Sequence, residues 1–190
     1  MIDEFAKVYL HEDLRWVRHS LLQRLDGLSE YEVRRPMTTT GTNPLGLVKH
    51  LTMTEAVYLG DTFDRAAPWP HPRYDDPDYR NRDSLWATET ESRADVVGAY
   101  QRAWAHADAT IDALPLDAVG LVPWWLQPTV KLFNVMIHVL TETNRHAGHA
   151  DILREKLDES NESTAKEPSG DWELHRARID LAARRAATAG

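Results

Sequence analysis

Apolar residues recur at three- and four-residue intervals along four long stretches of the chain, and little of it alternates as a strand would. The pattern predicts an all-α protein. The first helix is expected over 2–25, with Phe5, Val8, Tyr9, Leu14, Val17, Leu21, Leu22 and Leu25 near one stripe and Arg15 and Arg18 off it. Gly27 stands where a helix often ends. A second helix is expected over 44–63, with Asn43 placed to accept a free amide and Pro44 at the first helical position. The third opens at Ser92 and carries Val96, Val97, Tyr100, Ala103, Trp104, Ala107 and Ile111 before Pro115 stops it. The fourth, over 130–158, has the clearest helical period. After a polar stretch broken at Pro168 and Gly170, a last helix rich in Ala and Arg is expected over 172–187.

Two connections are long and aromatic. Residues 67–91 hold Pro68, Pro70, Pro72 and Pro77, which exclude a regular helix interior, and Trp69, Tyr74, Tyr79 and Trp86, which offer surface to bury. Residues 119–129 hold Pro123, Trp124, Trp125 and Pro128 and read as a second loop. The expected architecture is a four-helix bundle with long inter-helix loops over 1–158. A linker and a short C-terminal helical extension follow over 159–190.

Composition narrows the chemistry. With 22 Lys and Arg against 30 Asp and Glu in 190 residues, the net charge is −8, which opposes the phosphate neutralisation that nucleic-acid binding requires. No apolar run reaches the ~18 residues of a membrane span, and the N-terminal residues lack the pattern of a signal peptide. The expectation is a cytoplasmic protein without nucleic-acid or membrane partners. Cysteine is absent, so the chain has no disulfide, no thiol nucleophile of its own and no Cys-based metal site. Nine histidines remain for metal or proton chemistry.

The fourth helix holds the residues that do not suit a plain core. His138, Glu142 and His146 follow at four-residue steps, and His149 comes three later. At ~100° per residue, His138 and His149 lie only about 20° apart around the helix. This polar stripe runs among Phe133, Val135, Met136, Val139 and Leu153, where a carboxylate needs a partner or a cation. A Glu and a His one turn apart can reach one divalent ion, and a third ligand must then come from another helix. His50, mid-helix in LGLVKHLTMTEAVYL, is the best candidate. Alone, each of these residues also suits a hydrogen-bonded core or boundary position.

The segments LVKHL and ETNRHAGHADILRE resemble the DinB/YfiT-like superfamily of metal-binding four-helix bundles over about residues 1–158. The likeness is to its actinobacterial branch, which includes the mycothiol S-transferases and the metal-binding domain of mycothiol-dependent maleylpyruvate isomerase. The resemblance implies a metal triad of His50, Glu142 and His146. The wider superfamily has His where Glu142 stands, and often His-Arg-Gly-Gln where this chain reads His146-Ala147-Gly148-His149. His149 and His138 are therefore candidates for a supporting place beside the ligands or for replacing one of them. The residues after the fourth helix are too few for the isomerase's further domain, so isomerase activity does not carry over.

The expected function is a metal-dependent thiol S-transferase, with zinc, or nickel, activating a low-molecular-weight thiol toward a small electrophile. Beyond the metal ligands no catalytic residue is expected, and Trp69, Trp124 and Trp125 are candidates to line the substrate pocket. The competing expectations are a hydrolase on the same site and a non-catalytic metal- or small-molecule-binding bundle. A homodimer, with the C-terminal extension as one means of forming it, is compatible with the pattern.

Overall fold

Side chains take the first free amides at the helix starts, and that sets most boundaries. In the computed structural model, which describes residues 2–73, 83–160 and 170–188, six helices follow in order. They are α1 (Ile2–Gln23), α2 (Glu30–Arg34), α3 (Pro44–Tyr58), α4 (Arg93–Ala113), α5 (Leu132–Ser160) and α6 (Gly170–Thr188). Asn43 Oδ1 accepts from Gly46 N at 2.8 Å to open α3, with Pro44 at the first helical position as expected. Ser92 and Asp95 exchange side-chain and backbone bonds at the start of α4. Ser29 and Glu32 do the same at α2, a five-residue helix that the polar connection after α1 was not expected to contain. Its signal was there to read, a Ser followed three positions later by a Glu. Gly27 adopts φ 74°, the left-handed conformation that suits the residue past a helix end.

Three boundaries differ from the sequence expectation. The second helix ends at Tyr58, five residues early, and the chain turns through a 3₁₀ segment at Asp61–Phe63. The aromatic connection 119–129 is a hairpin. Strand β1 (Val119–Leu121) pairs antiparallel with β2 (Thr129–Lys131), with Gly120 opposite Val130. The fourth long helix therefore starts at Leu132, after the strand, with Lys131 N donating to Asn134 Oδ1 at 3.1 Å. Gly120 is required there, since a Cβ would stand 2.7 Å from the Thr62 carbonyl oxygen. Within 67–91, a 3₁₀ turn forms at Asp83–Leu85, Trp69 is half-buried and Trp86 is exposed. Tyr74, Pro77 and Tyr79 lie outside the described residues.

The chain divides into two compact units, Met1–Arg154 and Glu155–Gly190. In the first, Leu14 and Val17 of α1, Leu59 and Phe63, Ala107 and Ile111 of α4, Val122, Val130, and Leu132, Val135, Met136 and Val139 of α5 form one buried cluster. This is the core of an all-α bundle. In the second unit α6 leaves Trp172, Leu174, Ile179 and Leu181 exposed. At the other end of the chain, Phe5, Val8 and Tyr9 were expected on the buried stripe of α1 and are exposed, so α1 enters the core only from Leu10 and His11 on.

The core also contains charge, including Arg18, which the helical pattern placed off the buried stripe. Arg18 of α1 is 0% exposed, and so is Glu55 of α3. The guanidinium donates through Nε and Nη2 to the two Glu55 oxygens at 2.8 and 2.5 Å, and through Nη1 to Asp108 of α4 at 2.7 Å. His11, also buried, donates through Nε2 to the same Asp108 oxygen at 2.8 Å. The other Asp108 oxygen accepts from Arg15 Nε at 3.1 Å. Burial opposes the Asp108 charge, but the His11 hydrogen bond and the Arg18 charge prevail and hold its carboxyl far below the usual range. A group depressed on folding stabilises the fold above its unfolded value of about 3.9 and loses that contribution as pH falls below it. Acid unfolding of the wild type should therefore steepen below about pH 4, and Asp108→Asn should flatten that limb. Circular dichroism across an acid titration checks this.

The start of α3 is held close to the chain that covers it. A Cβ on Gly46 would stand 2.1 Å from the Leu85 carbonyl oxygen, a distance no real contact tolerates. Gly46→Ala must push the Asp83–Leu85 turn away from the helix. The expected loss is about 2 kcal/mol, read as a lower urea midpoint at unchanged slope.

Candidate metal centre

His50 lies in the interior of α3, and Glu142 and His146 lie one turn apart on α5. Helical geometry sets the spacing on α5, and packing of α3 beside it supplies the third side chain. His146 Nε2 is 3.0 Å from Glu142 Oε1, and His50 Nε2 is 3.7 Å from the same oxygen. The two imidazole rings meet edge to face at 4.9 Å. One potential ligand atom from each of the three lies within 4.8 Å of the others. All three side chains are only slightly exposed.

The electrostatics favour a cation. His50 draws the Glu142 carboxyl down to about 2 against the cost of burial, and His146 adds to the effect. Burial pushes the His146 imidazole below its usual value and His50 lowers it further, although Glu142 pulls the other way. Glu142 is thus an anion, and the ring most needed as a ligand tends to the neutral form, which has a lone pair to give. The buried Nδ1 of His50 has no hydrogen-bond partner among the described residues. Two imidazoles and one carboxylate are a donor set that suits a divalent transition metal with a position left for another ligand.

The other two residues of the α5 stripe separate. His149 is exposed, and its Nδ1 is 3.4 Å from His146 Nδ1, beside the group rather than within it. His138, one turn before Glu142, packs against the rings of Tyr58 at 4.6 Å and Trp125 at 4.8 Å. Burial lowers its pKa as well. His138, His50 and Glu142 line a cavity of about 160 Å³ with Met53, Thr54, Val57, Tyr58 and Trp124. Trp124 and Trp125 both donate their indole N–H to the Tyr58 hydroxyl, at 3.2 and 3.3 Å. Trp69 is elsewhere, its ring edge to face with His106 and its side chain in a different cavity.

Tyr58 is the residue that sequence reasoning passed over. It stands two helical turns after His50, so its place near the same face was available as a signal. Its partners lie 66 and 67 residues away, beyond what local spacing can show.

A helical bundle in which two helices bring imidazole, carboxylate and imidazole together belongs to the class of all-α proteins with a candidate metal centre between facing helices. The family model described as Mycothiol-S-transferase matches residues 9–159, and the chain belongs to that family. It is a transferase, and the matched span covers the three site residues. No curated protein matches the chain in sequence. Among the described residues, no helix is long and apolar enough to cross a membrane.

Proposed function

We propose that the protein is a metal-dependent thiol S-transferase in which His50, Glu142 and His146 hold a divalent cation, zinc or nickel. The convergence of those three side chains from two helices carries the reading. A cation there supplies Lewis acidity, which makes the thiolate form of a bound thiol available at neutral pH. The chain itself has no cysteine, so the sulfur comes from a low-molecular-weight cosubstrate. In the reaction its S–H proton is lost to solvent, a sulfur–carbon bond forms, and the leaving group departs with the electron pair of the broken bond. With an epoxide, that group is the ring oxygen and it takes up a proton.

The residues around the triad have separable tasks. Glu142 contributes the negative charge, and Arg145 Nη1, 3.4 Å from its other oxygen, limits how that carboxylate can turn. His149 fits a supporting role, because a ligating His146 uses Nε2 and its Nδ1–H then donates to His149 Nδ1. Tyr58 accepts from two indoles, which occupy both lone pairs of its hydroxyl and leave it only a proton to offer. In a cavity shared with Glu142, that proton can meet the charge developing on a leaving group.

The test is consumption of a small thiol with 1-chloro-2,4-dinitrobenzene, read as the absorbance of the aryl thioether that forms as chloride leaves. Turnover is expected, with loss on exhaustive chelation and recovery on adding zinc or nickel. Turnover that survives complete removal of metal would overturn the reading.

A further inference from the structure

The cavity that His50 and Glu142 line holds about 160 Å³. A dry cavity of about 150 Å³ admits one benzene ring. The space beside the triad therefore takes the reacting atoms of one partner and little more, yet an S-transferase must seat two. A second cavity, of about 440 Å³, shares one wall with the first. The shared wall is Met53, buried and with a flexible side chain.

The lining of the second cavity names the chemistry it accepts. Its surface is mostly apolar, built from Met53, Trp69, Pro72, Val96 and Ala99. Among the described residues, the charged ones that line it are two cations, Lys49 and Arg102, and two anions, Glu91 and Asp95. Lys49 is committed, donating to Glu91 at 2.8 Å and to the Trp86 carbonyl at 3.0 Å. His71 is likewise tied, its Nε2 3.1 Å from Asp61. Charges that balance in number offer no net attraction to an ion. An apolar pocket of this size with an aromatic wall suits a neutral, flat molecule.

We propose that this second cavity binds the apolar, aromatic body of the electrophilic substrate, and that Met53 is the partition across which its reactive carbon reaches the triad. The assignment rests on the transferase reading for its meaning, but its binding step can be measured without turnover. The probe is 4-fluoronitrobenzene without thiol, followed by fluorine NMR line broadening on the full chain. Binding is expected to the wild type and, unchanged, to His146→Ala, which lacks the metal site. Ala99→Phe fills the cavity from α4 and should weaken binding by at least about tenfold. If Ala99→Phe does not retain the helical signal, Thr52→Phe fills the same space from α3 and is read in its place.

Equal binding by the filled variant and the wild type, or none by either, overturns the proposal. Binding that follows this pattern in a protein with no thiol turnover overturns only the transferase reading. Met53→Ala should raise kcat/KM for a bulky aryl electrophile relative to a small alkyl one. An unchanged ratio removes the partition role.

Discussion

Replacing His146 by alanine is expected to abolish both stoichiometric metal binding and thiol turnover while leaving the far-ultraviolet helical signal in place. With one imidazole gone, two ligands on different helices remain, too few for a stable site with an open position. The fold should survive, because the side chain lies at the edge of the core and its loss removes one contact ring rather than a buried cluster member. Glu142→Gln should behave similarly for a different reason. It keeps the shape and removes the anion that offsets the cation. His149→Ala should be milder, with metal affinity lower by about 10- to 100-fold and turnover restored at high metal, since it acts on His146 rather than on the ion. Elemental analysis and competition against a chromophoric chelator measure each case. Undiminished metal content in His146→Ala would remove that residue from the site.

The largest stability effect is expected at the Arg18–Glu55 pair. Glu55→Leu leaves a guanidinium at 0% exposure with one carboxylate where it had two. Breaking a buried pair from one side costs about 3–5 kcal/mol, which for a chain of this size lowers Tm by roughly 6–20 °C. Restoring complementarity should recover most of it. The double variant Arg18→Met with Glu55→Leu replaces two desolvated charges with packed hydrocarbon, which is often neutral or better. Asp108 keeps His11 and Arg15 as donors in that variant. Calorimetry on the two single variants and the double closes the cycle. A double variant as unstable as Glu55→Leu alone would show that the pair positions the helices rather than merely satisfying its own charge.

The two predictions concern groups that share α3 and have different partners. His50 meets α5, and Glu55 meets α1 and α4 through Arg18 and Asp108. One helix thus presents a candidate metal ligand and a structural side chain, with eleven buried residues between Pro44 and Val57. A helix buried nearly all round has no strong polar face to mark which polar residue is which. Its sequence therefore marks His50 and gives no sign that Glu55 is buried in an ion pair.

The amino-acid pattern alone determined the four long helices, the caps at Asn43 and Ser92, and the Glu142–His146 step, because each depends on residues within one or two turns of each other. It also determined that any sulfur chemistry must use a cosubstrate, since composition is independent of folding. Only the tertiary structure decided that His50 faces Glu142, that Tyr58 collects two indoles, that Arg18 is interior, and that 119–131 pairs into a hairpin. Each of those joins atoms from segments far apart in the chain or swaps a local preference for a long-range bond. The free energy of such a contact belongs to the packed pair of elements and is written in neither of them alone.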